Sequence, residues 1–384
     1  MIGSDRREEI YLDYAAATPV DPRVAELHAS LALRLVGNAN NDIHLAGRVS
    51  SMQLASAARD VADLIGGDEE NVLVVPSASI ALFLALEDAI SRCRGTTCRI
   101  LASAAEHPAL LDQLRLLISA GRAVVRFAPV DRFGQMDLPA FRCLLGEGVD
   151  VVCAMAANNE TGTVVELDAV LSGAADAGAL TIVDGAQAAG RVPVAPLVQQ
   201  AAYFVLSGAK MYGPRQAAAL VSRFRSAIER RARHLVGSPD AAGAGALGLA
   251  CRLRQQEMQV DEPAIAVLRD RLEAHLLDEV PDLVVNGDRG RRLSGFLNVS
   301  APHVPGDAVV ARLCGKLAIA TGAACQSGVP ESSHVLRAMG GEDWVADGAV
   351  RLSLGKFTRP SDVETAAGLL AQALRGRRPA RLVA

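Results

Sequence analysis

The sequence predicts an α/β fold, in which a large domain with a mostly parallel, doubly wound sheet is followed by a smaller α+β domain. Two observations predict it. Over the first 225 residues, short β-branched runs alternate with longer amphipathic segments rich in Ala and Leu, and this alternation is typical of a parallel sheet covered by helices on both faces. Beyond that point the alternation stops, and a chain of 384 residues is long enough for two domains.

Six β-branched runs are the predicted strands of the large sheet, and the amphipathic segments between them are the predicted helices. The strands cover residues 71–75, 98–101, 123–127, 149–155, 180–183 and 202–206, and the helices include residues 50–64, 79–93 and 108–120. Ligands of doubly wound sheets bind beyond the carboxyl ends of the strands. The polar residues that follow each run are therefore the candidate site residues.

The second half of the chain predicts the smaller domain. A Gly- and Ala-rich stretch of low complexity is followed by one or two helices, by three strand-like runs and by a final helix. These segments are, in order, residues 237–248, 249–280, 292–300, 316–320, 349–354 and 361–374. We expect the large domain to span residues 15–255 and the small domain to combine residues 1–14 with residues 256–384.

Composition and charge exclude several classes of protein. A net charge of −4 does not fit a dedicated nucleic-acid binder, which is basic. The first ten residues lack the apolar run of a signal peptide, and the longest uncharged stretch, residues 192–209, contains two prolines and two glutamines, unlike a membrane span. Seven cysteines without a CxxC pair argue against a disulfide framework or zinc ribbon and favour a reducing compartment. We expect a cytoplasmic protein without a metal site or membrane contact.

Lys210 and Asp184 predict a site for an aldehyde cofactor. Lys210 follows the strand-like run AAYFVLSG, and burial at the mouth of a strand makes a lysine amine nucleophilic by lowering its pKa, as a Schiff base requires. Asp184 ends the run TIVD, where a carboxylate can pair with the protonated ring nitrogen of pyridoxal 5'-phosphate (PLP). Taken singly, Lys210 also fits a surface lysine and Asp184 a helix N-cap. The one helix and one strand between them place both at the same sheet edge.

Other polar residues lie at strand ends or in loops. His107 precedes a helix that opens with proline, where a neutral imidazole can stack on a flat ring and move protons. Asn158 and Asn159 could bind a phenolate oxygen or a substrate carboxylate, or form a turn. Cys325 lies in the loop ATGAACQSGVPESSHVL, and an exposed cysteine there indicates a reactive thiol because free cysteines are normally buried. Arg351 could hold a carboxylate in bidentate fashion, or form a structural ion pair.

Together these segments resemble the cysteine desulfurases, a family of fold-type I PLP enzymes in the class V aminotransferase group. The resemblance runs nearly end to end. In chain order it rests on YLDYAAATPVDPRV, AEHPALLDQLRLL, NNETGTV, VDGAQAAGRVPV, SGAKMYGP, the ATGAAC loop, HVLRAMG and VRLSLGKFT. The order and spacing of these motifs jointly are specific, although each motif alone is weak.

The resemblance implies a reaction that converts L-cysteine to L-alanine and leaves a persulfide on Cys325, which passes its sulfur to an acceptor. It also implies a role for each site residue. Lys210 would form the Schiff base and move the substrate Cα proton, and His107 would stack on the cofactor ring and assist proton transfer. Asp184 would pair with the pyridinium nitrogen, and Gln187 would contact the phenolate oxygen. Asn159 and Arg351 would hold the substrate carboxylate, and the cofactor phosphate would be bound by Ala78, Ser79 and Ser207.

The resemblance further implies a homodimer and a protein partner that accepts sulfur. Iron–sulfur assembly, sulfur modification of tRNA or DNA, and a natural-product pathway are all open as the destination, and no direct binding of nucleic acid is expected. Nine residues separate Cys325 from His334, which fits the subgroup with a long loop, in which the thiol swings out to donate sulfur.

The chain departs from the family pattern around the cofactor phosphate. Ala209 stands where the family usually has histidine, and PSAS at residues 76–79 replaces a turn of SGAT type. Residues 237–248 stand in place of a Gly-rich segment that carries Arg-Ser-Gly-Thr and reaches the partner subunit's phosphate. These losses predict weaker retention of PLP.

Two other functions fit the same sequence. A related PLP lyase acting on selenocysteine or an S-substituted cysteine would not need Cys325. A degenerate enzyme kept as the scaffold of a sulfur-transfer complex would explain the losses at the phosphate site, but not the presence of Lys210, Asp184, His107, Cys325 and Arg351.

Overall fold

The computed structural model describes residues 9–321 and 332–375, which form two main β-sheets with helices packed against them. The strands are β1 (Ile10–Tyr11), β2 (Val72–Val75), β3 (Cys98–Ser103), β4 (Ala123–Ala128), β5 (Val151–Met155), β6 (Leu180–Asp184), β7 (Tyr203–Ser207), β8 (Ala218–Val221), β9 (Val284–Asn286), β10 (Phe296–Ser300), β11 (Leu317–Ala318), β12 (Ala320–Thr321) and β13 (Val350–Ser353).

The helices cover both faces of the large sheet and one side of the small one. They are α1 (Pro22–Arg34), α2 (Leu45–Ile65), α3 (Ala78–Arg92), α4 (Pro108–Ser119), α5 (Leu138–Gly146), α6 (Asp168–Asp176), α7 (Ala195–Gln200), α8 (Arg225–Val236), α9 (Ala241–Glu279), α10 (Gly306–Leu313), α11 (His334–Ala338), α12 (Asp343–Asp347) and α13 (Pro360–Leu374), with 3₁₀ turns at Glu69–Asn71 and Gly208–Lys210. In the described part of the chain, no helix combines the length and apolar character needed to cross a bilayer.

The large sheet has the strand order β2-β8-β7-β6-β5-β3-β4. Neighbours from β7 to β4 pair in parallel, whereas β8 runs antiparallel to both β2 and β7. Successive residues of β6 enter two separate cores, with Ile182 on one face and Val183 on the other, so helices cover the sheet on both faces. The predicted doubly wound sheet is confirmed. The sequence pattern does not predict β8, because AALV holds a single β-branched residue.

The small sheet has the order β12-β13-β10-β9, and all of its pairs are antiparallel. Next to it, β1 pairs in parallel with β11, so the start of the described chain lies beside its C-terminal part. The helices α10 and α13 and part of α9 enclose the core of this unit. The domain bounds at residues 15 and 255 stay a prediction, and the second of them falls inside α9.

Helix α9 begins earlier than the sequence pattern predicts. The low-complexity stretch is helical from Ala241 onwards, and Asp240 caps it by accepting a hydrogen bond from the backbone N–H of Ala242. Its glycines allow close packing on α2: a Cβ at Gly248 would lie 2.6 Å from a carboxylate oxygen of Asp60. Tertiary packing therefore compensates for the low helix propensity of glycine.

Arg254 on α9 predicts the largest stability effect outside the candidate site. Its side chain is 1% exposed and donates to the Gly190 carbonyl at 2.8 Å, to Asp261 at 2.6 Å and to Glu262 at 2.7 Å. Burial raises the pKa of Glu262, and the Arg254 charge opposes this rise. Replacing Arg254 by methionine leaves a buried carboxyl without its cation, and we expect a loss of about 3–5 kcal/mol in the free energy of unfolding.

Urea denaturation measures this loss, and a neighbouring arginine is the matched control. Arg252 lies on the same helix and pairs with Asp60 at 2.5 Å, but its side chain is 43% exposed. Arg252→Met should therefore cost less than about 1 kcal/mol. Equal losses in the two variants would contradict the interpretation that burial sets the difference.

Candidate active site

Three of the predicted site residues lie at the carboxyl ends of parallel strands of the large sheet, of which β6 and β7 are neighbours and β3 lies beyond β5. Asp184 is the last residue of β6, Lys210 lies just after β7, and His107 follows β3. The pKa values of Asp184 and His107 each respond to the charge of the other and to Lys210. The structure therefore brings these side chains into one electrostatic cluster at this sheet edge.

Lys210 lies in the 3₁₀ turn that follows β7 and is half-buried. Its Nζ donates to the carbonyl oxygens of Ala15 at 2.8 Å and Ala16 at 2.5 Å. These carbonyls belong to the segment YLDYAAATP near the start of the chain. The amine is thus held at the sheet edge by backbone from a distant part of the sequence.

Asp184 is buried beside these groups. One carboxylate oxygen accepts the backbone N–H of Ala186 at 2.9 Å, which is a turn contact; no helix begins at this point, so Asp184 is not the helix N-cap that the alternative interpretation expected. Burial raises the pKa of Asp184, while this hydrogen bond and the charges of His107 and Lys210 lower it. A cationic ring nitrogen next to the carboxylate would favour its ionised form in the same way.

His107 is the N-cap of α4, and its Nδ1 accepts the backbone N–H of Ala109 at 3.0 Å. Burial lowers the pKa of the imidazole, so the ring is neutral near pH 7. Because Nδ1 is an acceptor, the proton of the neutral ring lies on Nε2. His107 therefore begins the helix and presents a neutral Nε2–H donor within the cluster.

The Gln187 side chain is fixed at both ends of its amide. Its Nε2 donates to the Ala15 carbonyl at 2.9 Å, and its Oε1 accepts Nη1 of Arg191 at 2.7 Å. Arg191 also donates to the Tyr14 carbonyl at 3.2 Å. The orientation of the amide leaves its second N–H for a ligand oxygen.

The two asparagines after β5 differ in their contacts. Asn158 forms the turn, because its Oδ1 accepts the backbone N–H groups of Glu160 at 2.8 Å and Thr161 at 3.0 Å. Asn159 is also buried, but its Oδ1 has no hydrogen-bond partner among the described residues. An unpaired buried oxygen costs free energy unless a ligand pairs with it, so Asn159 is the better candidate for ligand binding.

Arg351 reaches the same region from β13 of the small sheet. Its side chain is 1% exposed, with Nη1 donating to the Asn159 carbonyl at 3.0 Å and Nη2 to Asp13 at 2.8 Å. The Nε–H has no partner among the described residues. The ion pair that the sequence allowed is present, and one buried donor is left for a carboxylate.

The start of α3 lies at the carboxyl end of β2. Ser77 is its N-cap and accepts the backbone N–H of Ile80 at 3.2 Å, while Ala78 and Ser79 form the first turn. A 15-residue helix presents unpaired N–H groups and a partial positive charge at this end. This arrangement fits a phosphate group.

Ala209 and Ser207 lie two strands away in the same sheet. Ser207 is the buried last residue of β7, and the Ala209 carbonyl accepts the backbone N–H of Thr18 at 2.8 Å and its hydroxyl at 3.1 Å. The methyl side chain of Ala209 offers no donor, so a phosphate here would depend on Ser207 and on the start of α3.

Cys325 lies outside the described residues, which resume at residue 332, just before α11. Ser333 caps α11 and its hydroxyl donates to Glu160 at 2.5 Å. His334 Nε2 lies 2.9 Å from the Glu106 carbonyl oxygen, and its Nδ1 lies 3.9 Å from a carboxylate oxygen of Glu160. This segment is therefore anchored beside the residue that precedes His107.

Four charged residues of the site are missed by the sequence analysis. They are Asp13, Glu106, Glu160 and Arg191. Glu106 is fully buried, and burial together with the nearby Asp184 raises its pKa to about 8. Glu106 could have been predicted from the sequence, because it directly precedes the candidate active-site residue His107. Asp13 could not, because its contact with Arg351 joins residues too far apart for a local sequence pattern.

Comparison with known proteins identifies relatives of the chain. A family model described as aminotransferase class-V matches residues 10–225, which is more than half of the chain. Cysteine desulfurase IscS of Methylococcus capsulatus is 32% identical over 370 residues, covering 94% of this chain and 91% of that protein. The cysteine desulfurase of Mus musculus is 29% identical over 367 residues, covering 92% of this chain and 79% of that protein.

Solved structures have the same fold. A NifS-like protein superposes with a TM-score of 0.85 at 24% identity, covering 95% of this chain and 99% of that one. A structure described as SspA in complex with cysteine gives a TM-score of 0.76 at 22% identity, covering 91% of this chain and 99% of that one. These likenesses confirm the predicted fold-type I architecture.

Proposed function

Because this chain belongs to the cysteine desulfurase family of class-V aminotransferases, we propose that it converts L-cysteine to L-alanine with PLP and carries the released sulfur as a persulfide on Cys325. The observation that carries this proposal is the cluster of Lys210, Asp184 and neutral His107 at the carboxyl edge of the large sheet. Its amine, its carboxylate and its ring donor are the groups that PLP chemistry requires.

The residues around this cluster fit the cofactor. PLP supplies an electron sink for the negative charge left when the substrate loses its Cα proton. Lys210 would bind the aldehyde carbon of PLP and then hold and return the Cα proton at Nζ. Asp184 would accept a hydrogen bond from the ring nitrogen, and the free N–H of Gln187 would bind the phenolate oxygen. His107 would stack on the ring with its Nε2–H as donor.

Asn159 and Arg351 would bind the substrate carboxylate. The Nε–H of Arg351 and Oδ1 of Asn159 are buried and have no partner among the described residues, and a bound amino acid would offer its carboxylate to the guanidinium and to the side-chain amide N–H of Asn159. Since Arg351 comes from the small sheet, substrate binding would draw on both sheets.

Cys325 would be the nucleophile that takes the sulfur atom from the substrate. Its thiolate attacks Sγ of the substrate, a sulfur–sulfur bond forms, and the bond between Cβ and Sγ breaks. The electron pair of the broken bond remains with the carbon product, which takes up protons to become alanine. The persulfide then passes its outer sulfur to an acceptor protein.

Other features support a proposal for the oligomeric state and the location. Between residues 33 and 52, five large apolar side chains are each at least two-thirds exposed. They are Leu33, Val36, Ile43, Leu45 and Met52. Apolar side chains grouped on a surface mark association interfaces, which supports a homodimer. The six cysteines of the described residues are free, which supports a reducing, cytoplasmic location.

The direct test is product analysis of the purified protein with L-cysteine. We expect alanine and sulfur, counted as persulfide plus sulfide, in equal amounts. Faster turnover of selenocysteine or of an S-substituted cysteine, unaffected by loss of Cys325, would favour the lyase. Bound PLP without turnover of any of these substrates would favour the scaffold.

Replacing Ala209 by histidine is expected to tighten PLP retention. The substitution adds a donor at the position where the family usually has one, and a charge-assisted hydrogen bond contributes about 1.5–3 kcal/mol. Dissociation of PLP at one pH and ionic strength should therefore slow by roughly tenfold to a hundredfold. Ala201→His, at the opposite end of the same strand, should change nothing. Unchanged or faster dissociation in Ala209→His would mean that the site is built around alanine.

A further inference from the structure

Cys93 and Cys98 form a pair of thiols at the sheet edge opposite the candidate active site. Cys93 is the C-cap of α3, and Cys98 is the first residue of β3, whose other end leads toward His107. The two sulfur atoms and a carboxylate oxygen of Asp150 all lie within 4.8 Å of one another. Four residues, Arg-Gly-Thr-Thr, connect the two cysteines.

The two thiols differ in access to solvent. Cys93 is half-buried, and its Sγ lies 3.5 Å from the Ala89 carbonyl, whereas Cys98 is 1% exposed. Cys93 lines an open basin at the surface. The charged side chains of this basin are Arg92, Arg94, Arg99 and Asp150. Arg92 pairs with Asp88 and Arg99 with Asp150, so the net positive charge that attracts anions to the basin comes from Arg94.

The contacts of Asp150 favour disulfide chemistry over a metal ion. Its Oδ1 accepts Nη2 of Arg99 at 2.8 Å, and its Oδ2 accepts both Nε at 3.1 Å and the backbone N–H at 2.8 Å. A metal ion bound by this carboxylate would compete with the guanidinium and lie next to its charge. A disulfide needs only the two thiols.

We propose that Cys93 and Cys98 are a redox-modification site, which an anionic low-molecular-weight disulfide such as glutathione disulfide converts to an intramolecular disulfide. The Cys93 thiolate attacks one sulfur of the reagent, which gives a mixed disulfide and releases one glutathione thiolate. The Cys98 thiolate then attacks the Cys93 sulfur and releases the second. Two cysteine thiols are oxidised, the reagent is reduced to two thiols, and the two protons lost by the cysteines end on glutathione.

Geometry and charge support this order of events. Of the two thiols in this pair, only Cys93 is accessible to a reagent. The buried Cys98 is close enough to attack the mixed disulfide on Cys93 after side-chain rotation. Burial raises the pKa of both thiols, and the Arg99 charge opposes this rise. The charge of Arg94 would concentrate an anionic reagent around a thiol of otherwise low reactivity.

The test uses the full-length holoenzyme carrying Cys325→Ser, so that the proposed nucleophile does not react. The protein is incubated with glutathione disulfide, alkylated and digested with a protease, and the peptide masses are measured by mass spectrometry. We expect a Cys93–Cys98 cross-link lighter by two hydrogens, which dithiothreitol reverses. Cys98→Ser should instead accumulate glutathione on Cys93, because no resolving thiol remains.

Matched controls separate this pair from the other cysteines. Cys143 and Cys314 are exposed single thiols, and Cys143→Ser and Cys314→Ser should leave the yield of the cross-link unchanged. Arg94→Gln should slow cross-linking by glutathione disulfide by about threefold or more, but not by the neutral hydroxyethyl disulfide. Absence of the cross-link, or glutathione remaining on Cys93 while Cys98 is intact, would overturn the proposal.

Discussion

Replacing Lys210 by alanine is expected to abolish turnover of L-cysteine and the covalent attachment of PLP, while the fold persists. Proton transfer by a positioned side chain contributes about 10²–10⁴-fold to a rate, and the lost attachment adds to this effect. The fold should persist because Lys210 is only half-buried, so water can replace Nζ at the carbonyls of Ala15 and Ala16. The visible absorption of the bound cofactor, circular dichroism and alanine formation are the measurements.

Lys210→Arg is the matched variant. A guanidinium keeps the positive charge and can donate to the same two carbonyls, but it is not a nucleophile for the aldehyde. We expect it to be as inactive as the alanine variant and to keep more of the wild-type stability. Full activity in either variant would end the assignment of Lys210 as the PLP lysine.

Replacing Cys325 by serine is expected to lower alanine and sulfide formation by at least about a hundredfold, because a hydroxyl does not replace the thiolate nucleophile. PLP should stay bound, since the groups that fit it lie on other segments. Exchange of the substrate Cα proton with deuterated water should continue in this variant and stop in Lys210→Ala. This contrast separates the proton step from the sulfur step.

Mass spectrometry after a pulse of cysteine locates the sulfur. The added mass should lie on the peptide that contains Cys325. Cys314→Ser, at an exposed cysteine, is the control and should leave both turnover and the labelled peptide unchanged. Cys251 should carry no persulfide because it is fully buried and burial raises the pKa of its thiol. A persulfide on Cys314 or Cys251 would contradict the assignment.

The sequence predicts the strand ends well, because local patterns determine them. Asp184 and Lys210 follow β-branched runs, and such runs predict strands from a short window of sequence, so their shared sheet edge is predictable. The alternatives for Asn158 and Asn159 could not be separated in this way. Both follow the same strand, and only the turn geometry decides which amide faces the backbone and which oxygen remains unpaired.

Contacts between distant residues are the part that the sequence does not predict. Lys210 is held by carbonyls about 195 residues earlier, and Arg351 pairs with Asp13 across 338 residues. The early start of α9 has a similar cause, because its glycine-rich first turns pack closely on α1 and α2. In each case the deciding interaction joins segments that no local window contains.

The parallel pairing of β1 with β11 has a consequence for synthesis on the ribosome. Ile10 pairs with Leu317, so β1 can pair with β11 only after about 300 further residues have been synthesised. At roughly 5–20 residues per second, this wait is about 15–60 s. All strands of the large sheet emerge earlier and can assemble first. The carbonyls of Ala15 and Ala16 lie a few residues after β1, so the segment that supplies partners to the amine of Lys210 has no anchor on its β1 side until β11 has been made, and a nascent chain that stalls earlier lacks this anchor.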